Sequence, residues 1–399
     1  MNQTLLRAML LLVAFFTTGS FCGESDAKQP ATAPATTPAA NPAAQVVNNK
    51  NADIPDLPKL IADVNGADVA ARNMAAGALL KSLEEQIKQN EKPYAKTLLV
   101  EVSASDAAVQ EAGKVKFATI VSNLRKANQK VFDELFSKLN AADPKEREGN
   151  RATFIGLVNA AVESDLIDKY IEDLASADPG VTAEATKRLQ EFGAAAATDL
   201  ARAVDDERLQ VKKSSAEILK SMGPAAREAA GDLSFMLDSE DKGTRRLAAS
   251  VLEALGPDAT DAVDDLIGYL SSDEKPLRRT AAGILKKIGP AGWAKMDPKD
   301  SESATTDLIE LLTDDDKHIR NQAAEVLMVL GAAAKSGIEE LVDIIEDENN
   351  DPDSRERAAA ILGAMGAEAK AAVPDLKKVN TEEGALKEAI NAALKLIDK

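Results

Sequence analysis

Residues of the kinds that do chemistry at neutral pH are few in this chain, and they are not grouped. Its 399 residues hold one histidine, His318, and one cysteine, Cys22. A single thiol forms no intrachain disulfide, and one His with one distant Cys does not make the usual four-ligand zinc site. His318 falls in a turn with no second His or Cys near it in sequence, so it reads as a solvated turn residue and not as a base or ligand. Carboxylates are abundant, in runs such as Asp314-Asp315-Asp316 and Glu346-Asp347-Glu348. These runs lack the alternating ligands and central Gly of a dedicated calcium loop. They read as helix-capping and solvated turn acids. No Gly-x-Ser-x-Gly elbow and no Gly-Lys-Ser/Thr phosphate loop occurs. The sequence therefore predicts no catalytic residue, no metal site and no cofactor.

Composition narrows the classes further. Hydrophobic residues make up 45% of the chain but aromatics only 3%. Ala and Leu supply the bulk instead, which suits thin layers of closely packed helices. Lys plus Arg number 48 against 66 Asp plus Glu, a net charge of −18. That field repels a phosphate backbone and an acidic membrane surface, so nucleic acid is not an expected partner.

Arg7 and the terminal amine precede a continuous apolar run from Ala8 to Phe16, followed by Thr17-Thr18-Gly19-Ser20. This is the pattern of a secretory signal peptide. At ~1.5 Å per residue the run covers about half a bilayer core, so no permanent membrane span is expected. Cleavage after Ser20, with Thr18 at −3, or after Cys22, with Ser20 at −3, satisfies the small-residue rule. A second reading makes Cys22 a lipid-bearing first residue, as in bacterial lipoproteins, and tethers the chain to the envelope. Gly19 at −3 and the bulky Phe21 at −1 depart from that pattern, which favours simple cleavage. Residues 1–22 are thus read as a signal peptide directing export to the periplasm or exterior. Residues 23–53, rich in Ala, Pro and Thr, cannot repay their ordering entropy and read as a disordered linker.

The elements that position everything else come from internal self-similarity. Six segments align: 170–193, 200–223, 233–256, 266–289, 308–331 and 341–366. Each ends in glycine, at Gly193, Gly223, Gly256, Gly289, Gly331 and Gly366. In 266–289, Leu266, Ile267 and Leu270 make one apolar face at helical spacing, and Ser271 to Pro276 break it. Leu277, Ala281, Ile284, Leu285 and Ile288 then form the stripe of a second helix. Gly289 is expected to stop it in a left-handed turn, and Pro224, Pro257 and Pro290 after three of these glycines to prevent continuation. Alanine pairs, such as Ala281-Ala282 and Ala323-Ala324, let neighbouring helices approach closely. An acid recurs in the turn (Glu207, Glu240, Asp273, Asp315, Glu348) and a base early in the second helix (Lys212, Arg245, Arg278, Arg320, Arg355). The bases are placed to reach the turn acids of the next repeat, as a ladder along the stack.

The Asp-rich turn, the basic residue, the Ala-Ala pair, the branched-Leu pair (Val251-Leu252, Ile284-Leu285, Val326-Leu327) and the Gly-Pro-x-Ala loop together resemble the HEAT repeat family. The likeness is to its short bacterial form, also seen in phycobilisome lyases, and it covers 170–397. The rhythm continues without the terminal Gly over 60–80, 98–121 and 135–158, so 54–165 is read as degenerate repeats and 166–399 as regular ones with a cap at 376–397. The resemblance implies an all-α solenoid, a right-handed superhelix of about ten helix pairs. It also implies that second helices line the concave side, with Lys213, Glu217, Arg246, Glu253, Arg279, Lys286, Gln322, Glu325 and Arg357, a set of mixed sign, pointing outward. The loop after Gly289 is nine residues longer than its equivalents and carries Trp293, the only Trp. An insertion there maps to a surface loop, with Trp293 either an anchor for a partner or a pin for its own loop. The functional expectation is a monomeric, non-catalytic scaffold of the envelope or exterior that holds another protein. The alternative is an enzyme or enzyme subunit of the lyase or hydroxylase type. Some HEAT-like enzymes bind iron through His-Glu pairs, and this chain has none.

Overall fold

In the computed structural model, which describes residues 53–398 apart from 65, 91, 128 and 380–383, several helix starts share one device. An aspartate precedes the helix and its side chain accepts hydrogen bonds from the first free backbone N–H groups. Asp68, Asp178, Asp241, Asp297, Asp316 and Asp351 all do this. Each such cap contributes about 1 kcal/mol and draws the negative charge to the positive end of the helix dipole. The expected signal peptide, Cys22 and the linker up to residue 52 lie outside the described residues.

The chain divides between Leu166 and Ile167 into two units. The first holds α1 (Leu57–Val64), α2 (Val69–Ser82), α3 (Glu84–Gln89), α4 (Tyr94–Val102), α5 (Ala107–Ala127), α6 (Gln129–Ser137) and the start of α7 (Pro144–Asp173). Its hairpins fall on the three segments where the repeat rhythm weakens. Four phenylalanines fill its core. Phe132 and Phe136 lie 4.9 Å apart between ring centres, and Phe154 stands 5.4 Å from Phe136 and 6.4 Å from Phe117. Arg151 is buried beside them, donating from Nε to the carbonyl of Leu139 at 2.8 Å and from Nη2 to Asn140 Oδ1 at 3.0 Å. Asn140 in turn holds the backbone of Ile54 through both its amide groups, at 2.7 and 2.8 Å.

The second unit begins with the end of α7 and continues with α8 (Pro179–Phe192), α9 (Ala194–Ala203), α10 (Leu209–Met222), α11 (Ala230–Phe235), α12 (Lys242–Leu255), α13 (Val263–Leu270), α14 (Lys275–Trp293), α15 (Pro298–Glu310), α16 (Lys317–Leu330), α17 (Ile338–Glu346), α18 (Pro352–Met365), α19 (Val373–Val379) and α20 (Ala385–Ile397). This is an α-solenoid: each short helix turns back into a longer one, and successive longer helices pack side by side. The alanine pairs sit at that contact; Ala281, Ala282, Ala323, Ala324, Ala358 and Ala359 are all buried. No strand occurs among the described residues.

The six terminal glycines stop their helices, but not in the left-handed helical turn the sequence predicts. Their φ lies between 50° and 59° while ψ runs from −119° to −164°. That combination is open almost solely to glycine. It folds the chain into a short 3-10 stretch at Gly223–Ala229, Gly256–Asp258, Gly331–Gly337 and Gly366–Ala372. Pro290 acts as expected: the helix breaks at Gly289, whose φ and ψ are not helical, and a separate short turn starts at Pro290 and runs to Trp293.

The expected surface loop after Gly289 is helical. Asp297 caps α15 at Lys299, and the extra residues lengthen this first helix to 13 residues against 8 in α13. Trp293 is only 3% exposed, with Nε1 3.4 Å from Thr305 Oγ1 of α15. It pins its own insertion, so the partner-anchor reading of Trp293 is corrected: a ring packed in the core offers no surface.

Candidate functional site: the second-helix layer of the solenoid

Helices α10, α12, α14, α16 and α18 pack each against the next, so their outward rows form one continuous surface in the second unit. The register of that layer is set by the recurring base. Lys212, Arg278, Arg320 and Arg355 are buried. Arg278 Nη1 donates to the carbonyls of Ser272 and Asp273 at 2.6 and 3.2 Å. Arg320 Nη1 does the same with Asp314 and Asp315 at 2.8 and 3.1 Å, and Arg355 Nε with Ile345 at 2.9 Å. The base therefore closes the turn of its own repeat through backbone oxygens.

Its other reach is to the next repeat, as the ladder reading expects, but the acid is one residue further on, or three in the last repeat with its two extra turn residues. Arg278 comes within 3.8 Å of Asp316, and Arg320 within 3.6 Å of Asp351. Lys212 pairs with Asp241 and donates to Thr244 Oγ1 at 2.8 Å. The partners are the N-cap aspartates, not Glu240, Asp273 or Asp315, whose carbonyls are used instead. A cap side chain is already held at the helix start, so it is the carboxylate that can meet a base without further ordering. Hydrogen bonds from Lys212 first, and then from the backbone of Gly243, hold the Asp241 carboxyl down at about 2.

Of the residues singled out from sequence, Arg246 and Arg279 are exposed on neighbouring helices in the same column, with Lys213 before them on α10. Lys286 and Glu325 also come together, but with each other: they pair at 2.8 Å across α14 and α16. Trp293 is not part of this surface. Glu217 pairs with Lys220 at 2.6 Å, and Arg357 with Asp353 at 3.0 Å. Sequence reading missed Lys242 and Lys275, exposed one helical turn before Arg246 and Arg279. The signal was their shared position as first residue of the second helix, four before the exposed base.

His318 lies exposed at the start of α16, where its backbone N–H donates to Asp316 Oδ1 at 2.7 Å. The acid runs are spent on the turns. Asp314 Oδ1 accepts from the Asp316 N–H at 2.7 Å, and Asp347 Oδ1 from the Asn349 N–H at 2.9 Å. Among the described residues no three His, Cys, Asp or Glu side chains come together as metal ligands, and no helix is long and apolar enough to cross a membrane.

Residues 231–328 match a family model described as HEAT repeats. No curated protein matches the chain in sequence. Among solved structures the chain is similar to an engineered protein, at 20% identity and TM-score 0.32, over 86% of this chain and 99% of that one. A designed armadillo repeat protein aligns at 15% identity and TM-score 0.29, over 58% of this chain and 99% of that one. The complex of CpcE and CpcF of phycocyanin lyase from Nostoc aligns at 22% identity and TM-score 0.26, over 58% of this chain and 93% of that one.

Proposed function

We propose that this chain is a non-catalytic scaffold that holds another protein against the second-helix layer of its solenoid unit. The supporting observation is how the charges on that layer are used. The buried bases, the N-cap aspartates and the Lys286–Glu325 pair are consumed in holding repeats in register. The bases left over, Arg246 and Arg279, stand exposed on adjacent helices and hold no hydrogen bond or ion pair among the described residues. A rigid layer presenting unspent charged side chains suits recognition spread over several repeats. The apolar run from Ala8 to Phe16 behind Arg7 supports reading this scaffold as exported to the periplasm or exterior.

Site-directed photocrosslinking tests the reading. A crosslinker at Arg246 or Arg279 should yield one discrete adduct with a protein of the native extract, and the same group at Val181 on α8 should not. Equal adducts from both positions would count against a defined face. Metal analysis separates the catalytic alternative: stoichiometric iron in the purified protein would replace the scaffold reading with a hydroxylase-type one.

A further inference from the structure

Seen along the helix axes, the outward positions of the layer are sorted by sign. The first residue of the second helix is Lys242 in α12 and Lys275 in α14. One turn on stand Arg246 and Arg279, with Lys213 in the matching place on α10. All five are exposed, and none makes an ion pair or hydrogen bond among the described residues. Acids precede this band in the turns and follow it on α10 and α12, whereas on α14 Lys286, paired with Glu325, and the exposed Lys287 follow. Glu240, Asp273 and Glu274 lie in the turns before the helices, and Glu217 and Glu253 follow further along them, all exposed. In a chain of net charge −18, a narrow run of unpaired bases costs repulsion among like charges, and nothing within the fold uses it.

Width and pitch say what fits. The band is two bases deep on α12 and α14 and one deep on α10, so it takes a single strand. Packed helices stand roughly 8–10 Å apart. A polyproline-II strand rises about 3.1 Å per residue with three residues per turn, so every third side chain falls on one face at about 9 Å intervals. An ordinary β-strand would send such third-residue side chains to alternating faces.

We infer that the band Lys213–Lys242–Arg246–Lys275–Arg279 docks an acidic polypeptide segment in polyproline-II conformation, with Asp or Glu at every third residue. This rests on the scaffold reading and names its partner's chemistry. One carboxylate meets the bases of each repeat, and the strand crosses α10, α12 and α14 in turn.

The test is fluorescence anisotropy with the full chain and three labelled probes. These are a twelve-residue peptide of repeated Glu-Pro-Ala, a peptide of the same composition with its glutamates contiguous, and a short DNA duplex. The spaced peptide should bind about tenfold more tightly than the contiguous one, and its affinity should fall as salt rises. Arg246→Glu with Arg279→Glu should weaken it by at least about tenfold, and the milder Arg246→Gln with Arg279→Gln by less. Unchanged circular dichroism in both variants would show that the fold is intact. Equal binding of all three probes, or binding of the spaced peptide that survives both double variants, would overturn the inference. Absence of peptide binding while photocrosslinking at Arg246 still captures one protein would also overturn it, and would leave the scaffold reading standing.

Discussion

The two units reach the same helix-turn-helix rhythm by different packing. In residues 167–398 the interior is mainly Ala, Leu, Ile and Val at repeating positions, and each second helix from α8 to α18 is ended, or in α14 broken, by a glycine with positive φ. In residues 53–166 a knot of four phenylalanines and the buried Arg151 replace that uniformity, and no glycine among the described residues has positive φ. Where each layer is the same thickness, the sequence must repeat. Where one bulky cluster fills the space once, it need not. Periodicity in sequence thus reports uniform packing, and its fading reports a change of packing at constant topology.

The largest effect that would sharpen this contrast is truncation of the knot. Phe154→Ala removes a ring in contact with three others and is expected to cost about 4 kcal/mol in urea denaturation. A cost near 1 kcal/mol would mean that the first unit tolerates loose packing and that the comparison is overstated.

Glycine to alanine should fail in both units for opposite reasons. At Gly223 nothing lies within 4 Å of a new Cβ, so only the φ of 54° opposes it, and the expected cost is about 1–3 kcal/mol. At Gly113 of α5 the backbone is helical, but a Cβ would lie 2.8 Å from Glu101 Cβ and 2.9 Å from the backbone nitrogen of Val102. Forcing α4 and α5 apart should cost about 1–3 kcal/mol. Serine, scarcely larger, should be as bad at Gly113, and asparagine should not restore stability at Gly223, because its tolerance of positive φ is confined to the left-handed helical region and does not extend to a ψ of −129°. Thermal melts of the four variants would show whether the two mechanisms separate.

A stabilising change is expected where one repeat breaks its own column. Ser215 stands where the other repeats have Ala185, Ala248, Ala281, Ala323 and Ala358, and its buried hydroxyl has no hydrogen-bond partner. Ser215→Ala should add about 1 kcal/mol. A lower melting temperature would show that the hydroxyl contributes to stability.

The smallest effect concerns acid. Asp241 is held from the ordinary 3.8 down to about 2, first by Lys212. Its contribution to stability is therefore complete above about pH 4 and is lost as pH falls toward 2. Asp241→Asn should lower stability at neutral pH and flatten the decline between pH 4 and 2. An acid limb unchanged by the substitution would remove Asp241 from the register mechanism.

Much of this was legible beforehand. Helix pairs, their stripes and the stopping role of Gly193 to Gly366 follow from spacing alone, because a helix that buries one face must repeat its apolar residues at 3.6. The errors fall where one local pattern admits two tertiary outcomes. The insertion after Gly289 has the polar composition of a loop, yet Asp297 and Pro298 start a helix that gains by packing Ala304 and Leu308. Trp293 reads as an anchor or a pin until something is placed beside it.

The sequence alone determined that this chain is a series of amphipathic helical hairpins, since the stripe, cap and stop are local properties of a few consecutive residues. The tertiary structure decided which charges are spent. Whether Arg278 and Arg279, adjacent in the chain, become a buried brace and an exposed contact depends on the next repeat's cap aspartate, brought near only when the repeats stack. Charge is a property of a residue, but its availability is a property of its neighbours in space.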